Sequence, residues 1–224
     1  MKSCVINFAC GSWYVKGQER LKENFLKFGY KGDFFLYSNE AQLGCPSHKD
    51  MPYAFKAYAF QKAIEAGYTR IIWCDSSMYL YNEQSLDKIH RQLDKDGYML
   101  VLNGWTTGTW CSDAALPKLG ITREEAFKIP HIMANSMGFD LSNENSREFL
   151  SQYFIHAKDG SYRGAWKNIH HNVSKDDRVL GHRHDQTVGS VIAWRLGMHN
   201  LLVNWTSYDP NNTNSEIVFL THPV

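Results

Sequence analysis

Arg70-Ile71-Ile72-Trp73-Cys74-Asp75-Ser76-Ser77 is the most informative junction in this chain. The apolar run is too short for a helix, and its unbroken hydrophobicity suits an inner strand covered on both faces. It stops abruptly at three polar residues. In open α/β sheets the loops beyond the carboxyl ends of the strands are free of packing duties and face helix N-termini, so ligands collect there. Asp75 is therefore either a turn or N-cap residue, which Asp and Ser favour, or a carboxylate that the strand delivers to a site.

Upstream, residues 3–9 form an apolar run closed by Gly11, followed by an amphipathic stretch at 13–28 in which Leu21, Phe25 and Phe28 recur at helical spacing. Residues 33–37 read as a second strand, and 52–66 as a helix with Pro52 at its start and Gly67 past its end. Downstream come a helix at 84–93 and a strand at 98–102. This alternation of strand and helix predicts a mainly parallel sheet with helices on both faces. The second half is less regular. It carries an extended segment at 132–141, helices at 143–157 and 185–196, and short strands at 199–203 and 216–220.

With 224 residues, 43% hydrophobic and 21% charged, the chain has the composition of a globular domain and is long enough for one sizeable core. A formal net charge of +1 gives no overall field to hold a polyanion, so any anionic partner needs a local cluster. The five cysteines, Cys4, Cys10, Cys45, Cys74 and Cys111, are scattered and odd in number, which suggests reduced, mostly buried thiols. The apolar run at the N-terminus is too short for a signal sequence, and no stretch approaches the roughly 18 residues of a membrane span. A cytoplasmic protein is the expectation.

The stretch from Lys56 through Ala63 and Gly67 to Asp75-Ser76-Ser77 resembles the segment of GT-A glycosyltransferases that carries the D-x-D metal motif, with Ser77 in place of the second Asp. Three further segments resemble glycogenin-like members in the same order. Asn135-Ser136-Met137-Gly138-Phe139 is similar to their N-s-G strand, and His184-Asp185-Gln186 to the D-Q pair that opens a late helix. Leu220-Thr221-His222-Pro223 is similar to a terminal histidine segment that supplies the last metal ligand.

The resemblance implies one GT-A (Rossmann-like) α/β domain over residues 1–224, a mainly parallel central sheet, and transfer of a sugar from a nucleotide-diphosphate donor, a UDP-sugar, with retention of configuration. It assigns Mn²⁺ or Mg²⁺ to Asp75 and His222, with Ser77 coordinating weakly or through water, and such an ion would neutralise the leaving diphosphate. Asn135, Asp185 and Gln186 fall beside the reacting sugar and acceptor. Donor binding falls to Cys10, Gly11, Trp13 and Tyr14 at the first β-α turn, to Lys56 near the diphosphate or sugar, and to Asp75 and Ser76. Trp13 and Tyr14 are also candidates for plain core packing.

The acceptor is open. A saccharide or glycan is one reading, and a hydroxymethylated base in DNA is the other. The region from His156 to His184 is locally basic and histidine-rich, and its Lys167, Arg178 and Arg183 are candidates for phosphate contacts to DNA or to the donor diphosphate. A base-extruding wedge would fall to Trp166 or Trp110. A third reading, of another class, is a non-catalytic nucleotide-sugar-binding module, which the degenerate third position permits.

Overall fold

The computed structural model describes residues 2–165 and 171–221. Strand β1 (Ser3–Phe8) leads into helix α1 (Ser12–Lys27), which buries Leu21 and Phe25. Strand β2 (Asp33–Tyr37), helix α2 (Ala54–Glu65) and strand β3 (Arg70–Cys74) follow. Helix α2 starts at Ala54 rather than Pro52, because Tyr53 adopts a left-handed conformation (φ 62°) as its N-cap. Next come β4 (Met78–Leu80), α3 (Ser85–Asp96) and β5 (Tyr98–Thr106). The short helices α4 (Leu116–Leu119) and α5 (Arg123–Lys128) lead into β6 (Pro130–Asp140) and α6 (Glu144–Asp159). The described chain closes with α7 (His184–Arg195), β7 (Thr206–Ser207) and β8 (Phe219–Thr221).

The central sheet has the order β2-β1-β3-β6-β5. Strands β2, β1, β3 and β5 run one way and β6 runs the other, antiparallel to both neighbours. The sheet is mainly parallel, as expected, and the reversed strand is the one the alternation of elements did not reveal. β6 inserts between β3 and β5 after the irregular α4–α5 connection rather than after a long crossover helix. A small second sheet, β4-β8-β7, stands beside it. The strand expected at 199–203 is reduced to a single bridge between Leu202 and Val101.

Strand periodicity divides the core. Cys4, Ile6, Ile71, Trp73 and Leu100 face the side covered by α2, α6 and α7, where they meet Phe60, Phe149, Tyr153 and Val188. Val5, Ile72, Cys74, Met99 and Val101 face α1 and α3, where they meet Leu21, Phe25 and Ile89. Gly138 has a packing reason: a Cβ there would lie 3.3 Å from both Leu93 and Met99. All five cysteines are free; Cys4, Cys74 and Cys111 are buried and Cys10 is exposed. Among the described residues no helix is long and apolar enough to cross a membrane.

At the amino end of β3, Arg70 is buried and forms ion pairs with Asp140 of β6 and Asp94 of α3, which lock the inserted strand to the sheet. Removing one partner of a buried pair leaves the other charge uncompensated. Arg70→Ala should therefore cost about 3–5 kcal/mol in urea denaturation, and Arg70→Met combined with Asp140→Leu should recover a large part of that loss. A loss below about 1 kcal/mol would place this pair with exposed ones.

Candidate functional site

The alternation that sends Trp73 toward α2 and α7 continues one step past the strand and sends Asp75 the same way. There Asp75 Oδ1 accepts from the Trp73 indole Nε1–H (2.8 Å) and lies 3.2 Å from Lys56 Nζ. Lys56 also lies 2.9 Å from Asp185 Oδ2 and donates to the Ala134 carbonyl (2.6 Å). Its ammonium is 5.3 Å from the rings of both Tyr53 and Trp73. Three elements far apart in sequence thus converge on one buried cation.

Lys56 sits in the first turn of α2, where the helix dipole disfavours a positive charge. Burial alone would lower its pKa, but the carboxylates of Asp185 and Asp75 more than offset that and hold it above the ordinary lysine value. Asp185 is in the first turn of α7, where the dipole favours an anion; burial raises its pKa and Lys56 opposes the rise. With one ammonium and two carboxylates, the cluster carries a formal charge of −1. Asp75 is its solvent-facing member, with a side chain 32% exposed against 3% for Asp185.

The backbone is strained on both sides of the cluster. Tyr53 (φ 62°) and His184 (φ 40°) are non-glycine residues at positive φ, the first as the N-cap of the helix that carries Lys56 and the second as the first residue of the helix that carries Asp185. Each costs about 1–3 kcal/mol, and such residues persist where the surroundings over-determine them. His184 is tied down by its Nδ1–H, which donates to the Tyr162 carbonyl (2.7 Å).

On the other face the same alternation turns Ser76 inward. Its hydroxyl donates to Asn7 Oδ1 (3.2 Å), an oxygen that also accepts from Gln18 Nε2 (2.8 Å), while Asn7 Nδ2 donates to the Cys74 carbonyl (2.6 Å). Ser76, expected among the donor-binding residues, is buried in this network. Asn7 is a supporting residue that sequence reasoning passed over, although an amide inside an apolar strand was its signal. Arg20 of α1 completes the support by donating to the Ser77 carbonyl (3.2 Å).

Among the other expected residues, Asn135 adjoins Asp75 and its carbonyl accepts from the Asp75 N–H (2.7 Å). Gln186 is half-buried and its Oε1 accepts from Asn103 Nδ2 (3.4 Å). Trp13 and Tyr14 are 68% and 58% exposed, so core packing is not their role. They stand beside exposed Cys10 and Gly11, the latter at φ 91° with open space around it. Lys56 is not free to meet a diphosphate, because its buried ammonium is enclosed by its two carboxylates. Arg178 is exposed and paired with both Asp176 and Glu124. Arg183 is half-buried, stacks over the Trp110 ring at 3.8 Å, and has no carboxylate within ion-pair distance among the described residues. Lys167, Trp166 and His222 lie outside the described residues.

Among the described residues no group of three His, Cys, Asp or Glu side chains could hold a metal ion. The chemistry still suits a hard divalent cation that arrives with a diphosphate, since Mg²⁺ is commonly held by one or two carboxylates plus substrate phosphates rather than by a protein cage. The excess negative charge of the cluster and the exposed Asp75 carboxylate fit that mode, with half-buried Ser77 beside it.

No family model and no curated protein matches the chain. Solved structures do. The chain is similar to a glycosyltransferase involved in the glycosylation of the major capsid of PBCV-1, at 12% identity over 97% of this chain and 94% of that one, with a TM-score of 0.54. It is also similar to mouse Xyloside xylosyltransferase 1 in its apo form, at 9% identity over 99% of this chain and 98% of that one, with a TM-score of 0.50. The fold is a glycosyltransferase fold. At such identities the likeness is one of architecture, and it joins the mainly parallel sheet and flanking helices to the GT-A type expected from the motifs. A cavity of about 360 Å³, lined by Lys2, Ser3, Lys31, Asp33 and His90 among others, lies at the amino ends of the strands, away from this cluster.

Replacing Lys56 by Met would leave two carboxylates with no counter-charge, so the folded-state pKa of at least one should rise further above its unfolded value of about 4. A raised folded-state pKa stabilises at low pH and loses that contribution as pH rises through it. Urea denaturation of Lys56→Met should thus show a deficit to the parent that is small near pH 5 and grows to about 3–5 kcal/mol near pH 8. A deficit independent of pH would mean that Lys56 acts through packing alone.

Proposed function

We propose that this protein is a nucleotide-sugar-dependent glycosyltransferase, a hexosyltransferase that moves a sugar from a UDP-sugar to an acceptor hydroxyl with retention. The observation that carries the reading is the Lys56–Asp75–Asp185 cluster at the carboxyl end of β3, on a glycosyltransferase fold. Trp13 and Tyr14 offer exposed rings on which a nucleobase can stack, with Cys10 and Gly11 beside them. Asp75, the solvent-facing member of the cluster, is the residue to hold a divalent ion, with Ser77 and, outside the described residues, His222 as its partners. Such an ion supplies charge neutralisation to the leaving diphosphate.

Asp185, which shares the Lys56 ammonium with Asp75, contributes fixed negative charge where positive charge develops on the sugar as the C1–O bond to the diphosphate breaks. The half-buried amides of Asn135 and Gln186 orient the sugar and acceptor. An inverting enzyme needs a carboxylate base positioned against the acceptor hydroxyl. Asp185 is a poor candidate for that role, being only 3% exposed and paired with Lys56. In the retaining course the new C1–O bond forms on the face the diphosphate leaves, and the acceptor proton departs with a diphosphate oxygen.

A DNA acceptor draws no support from Arg178, whose charge is already matched twice within the protein. A saccharide acceptor is the better reading. A non-catalytic binding module would not hydrolyse its nucleotide sugar, whereas a transferase commonly does so slowly without acceptor.

Screening UDP-sugars by thermal shift with and without Mn²⁺ should find a donor whose binding raises the melting temperature, because a ligand of the native state stabilises it. With that donor, Asp185→Asn should lower turnover by about 100-fold or more while UDP still binds. NMR of the product from a UDP-α-sugar should show an α linkage; a β linkage would recast Asp185 as a general base and overturn the retaining assignment.

A further inference from the structure

Strand β5 does not end cleanly. Its register against β6 slips between Leu102 and Thr106, which marks a bulge over residues 103–105. Bulges beside active sites commonly re-aim a side chain. Here Gly104 takes φ 81°, a conformation that glycine adopts without penalty, and the Trp105 N–H donates to Asn103 Oδ1 (3.0 Å), closing a tight local turn. The outcome is an indole 47% exposed at the carboxyl end of the sheet.

That indole is fixed to the start of α7. It meets the buried Trp110 edge-to-face, with ring centroids 5.8 Å apart, and Trp110 is covered by the Arg183 guanidinium. The Trp110 carbonyl accepts from the Arg183 N–H (3.1 Å) and from the Thr187 hydroxyl. Asn103 completes the link, donating through Nδ2 to Gln186 Oε1 (3.4 Å) and lying 2.6 Å from His131 Nδ1. An exposed aromatic ring, two half-buried amides and one cation without a carboxylate partner among the described residues are therefore tied to the start of α7, whose first turn carries Asp185.

We infer that this constellation is the acceptor subsite, and that it takes a neutral saccharide whose ring lies on Trp105 while its hydroxyls meet the Asn103 and Gln186 amides. The inference rests on the glycosyltransferase reading above and adds the place and chemical class of the acceptor. A flat apolar ring flanked by a few orienting polar groups suits a sugar, which presents C–H groups on its faces and hydroxyls on its rim. Duplex DNA would instead require several cations to meet its phosphates. Near α7, Arg178 pairs with Asp176 and Glu124, Arg123 pairs with Asp113, and the Lys158 ammonium lies over the Phe154 ring.

The test uses saturation-transfer NMR on the full chain with UDP present. The probes are the methyl α- and β-glycosides of glucose, galactose, mannose and xylose, and separately a short DNA duplex at low salt. At least one glycoside should bind; Trp105→Ala should weaken it about tenfold or more, and Trp105→Tyr should retain most of the affinity. UDP binding to Trp105→Ala reports that the fold and the donor pocket persist. The inference is overturned if UDP binds and no glycoside does, if glycoside binding ignores Trp105→Ala, or if the duplex binds with a steep salt dependence. Failure of the parent protein to bind UDP would bring down the underlying reading as well, and is distinguishable from these outcomes.

Discussion

A single ammonium group organises the carboxyl end of this sheet. Lys56 is buried in the first turn of a helix, against the direction its dipole favours, and is held there by Asp75 from β3, Asp185 from α7 and a carbonyl of β6. An isolated buried charge would lose its proton or unfold its surroundings, so each partner is a condition for the others. The strained conformations of Tyr53 and His184 follow from the same demand, since each sets the start of a helix whose first turn must reach the cluster. The remaining formal charge of −1 gives the site its chemical character. On the proposed reading, that charge favours a developing positive charge on a sugar and calls for an added cation when a diphosphate approaches.

The sequence made the strand β3, its abrupt end at Asp75 and the helix that opens near Asp185 legible, because continuous apolar runs, capping residues and β-α alternation are local signals. The direction of β6 was not legible, since parallel and antiparallel pairing can share the same apolar pattern when a strand is buried on both faces. Lys56 was singled out by resemblance as lying near the diphosphate or sugar, and the structure encloses its ammonium between Asp75 and Asp185. A sequence cannot tell a lysine that greets a diphosphate from one enclosed by two carboxylates brought from elsewhere in the chain. Ser76 was expected at the donor, and strand alternation, followed one residue further, turns its hydroxyl toward Asn7. The surface loops were the least legible, and the matched charges of Arg178 show why a count of cations says little about a binding face.

The architecture agrees with that of two glycosyltransferases at 12% and 9% identity, a likeness of fold alone. What gives this chain a function of its own must therefore be sought in its particular residues. Among the exposed aromatics, Trp13 and Tyr14 follow β1 and Trp105 stands near the carboxyl end of β5, on either side of the cluster in the sheet order. On the proposed reading these are a nucleotide side and an acceptor side, with the charged cluster between them.

The central claim is that the nucleotide sugar reacts over Lys56, Asp75 and Asp185, and a crystal structure of the protein with UDP and Mg²⁺ tests it most directly. The account predicts the diphosphate against Asp75, with the uracil stacked near Trp13 or Tyr14. Density for the nucleotide in the cavity lined by Lys2, Lys31 and His90, with the cluster untouched, would contradict it.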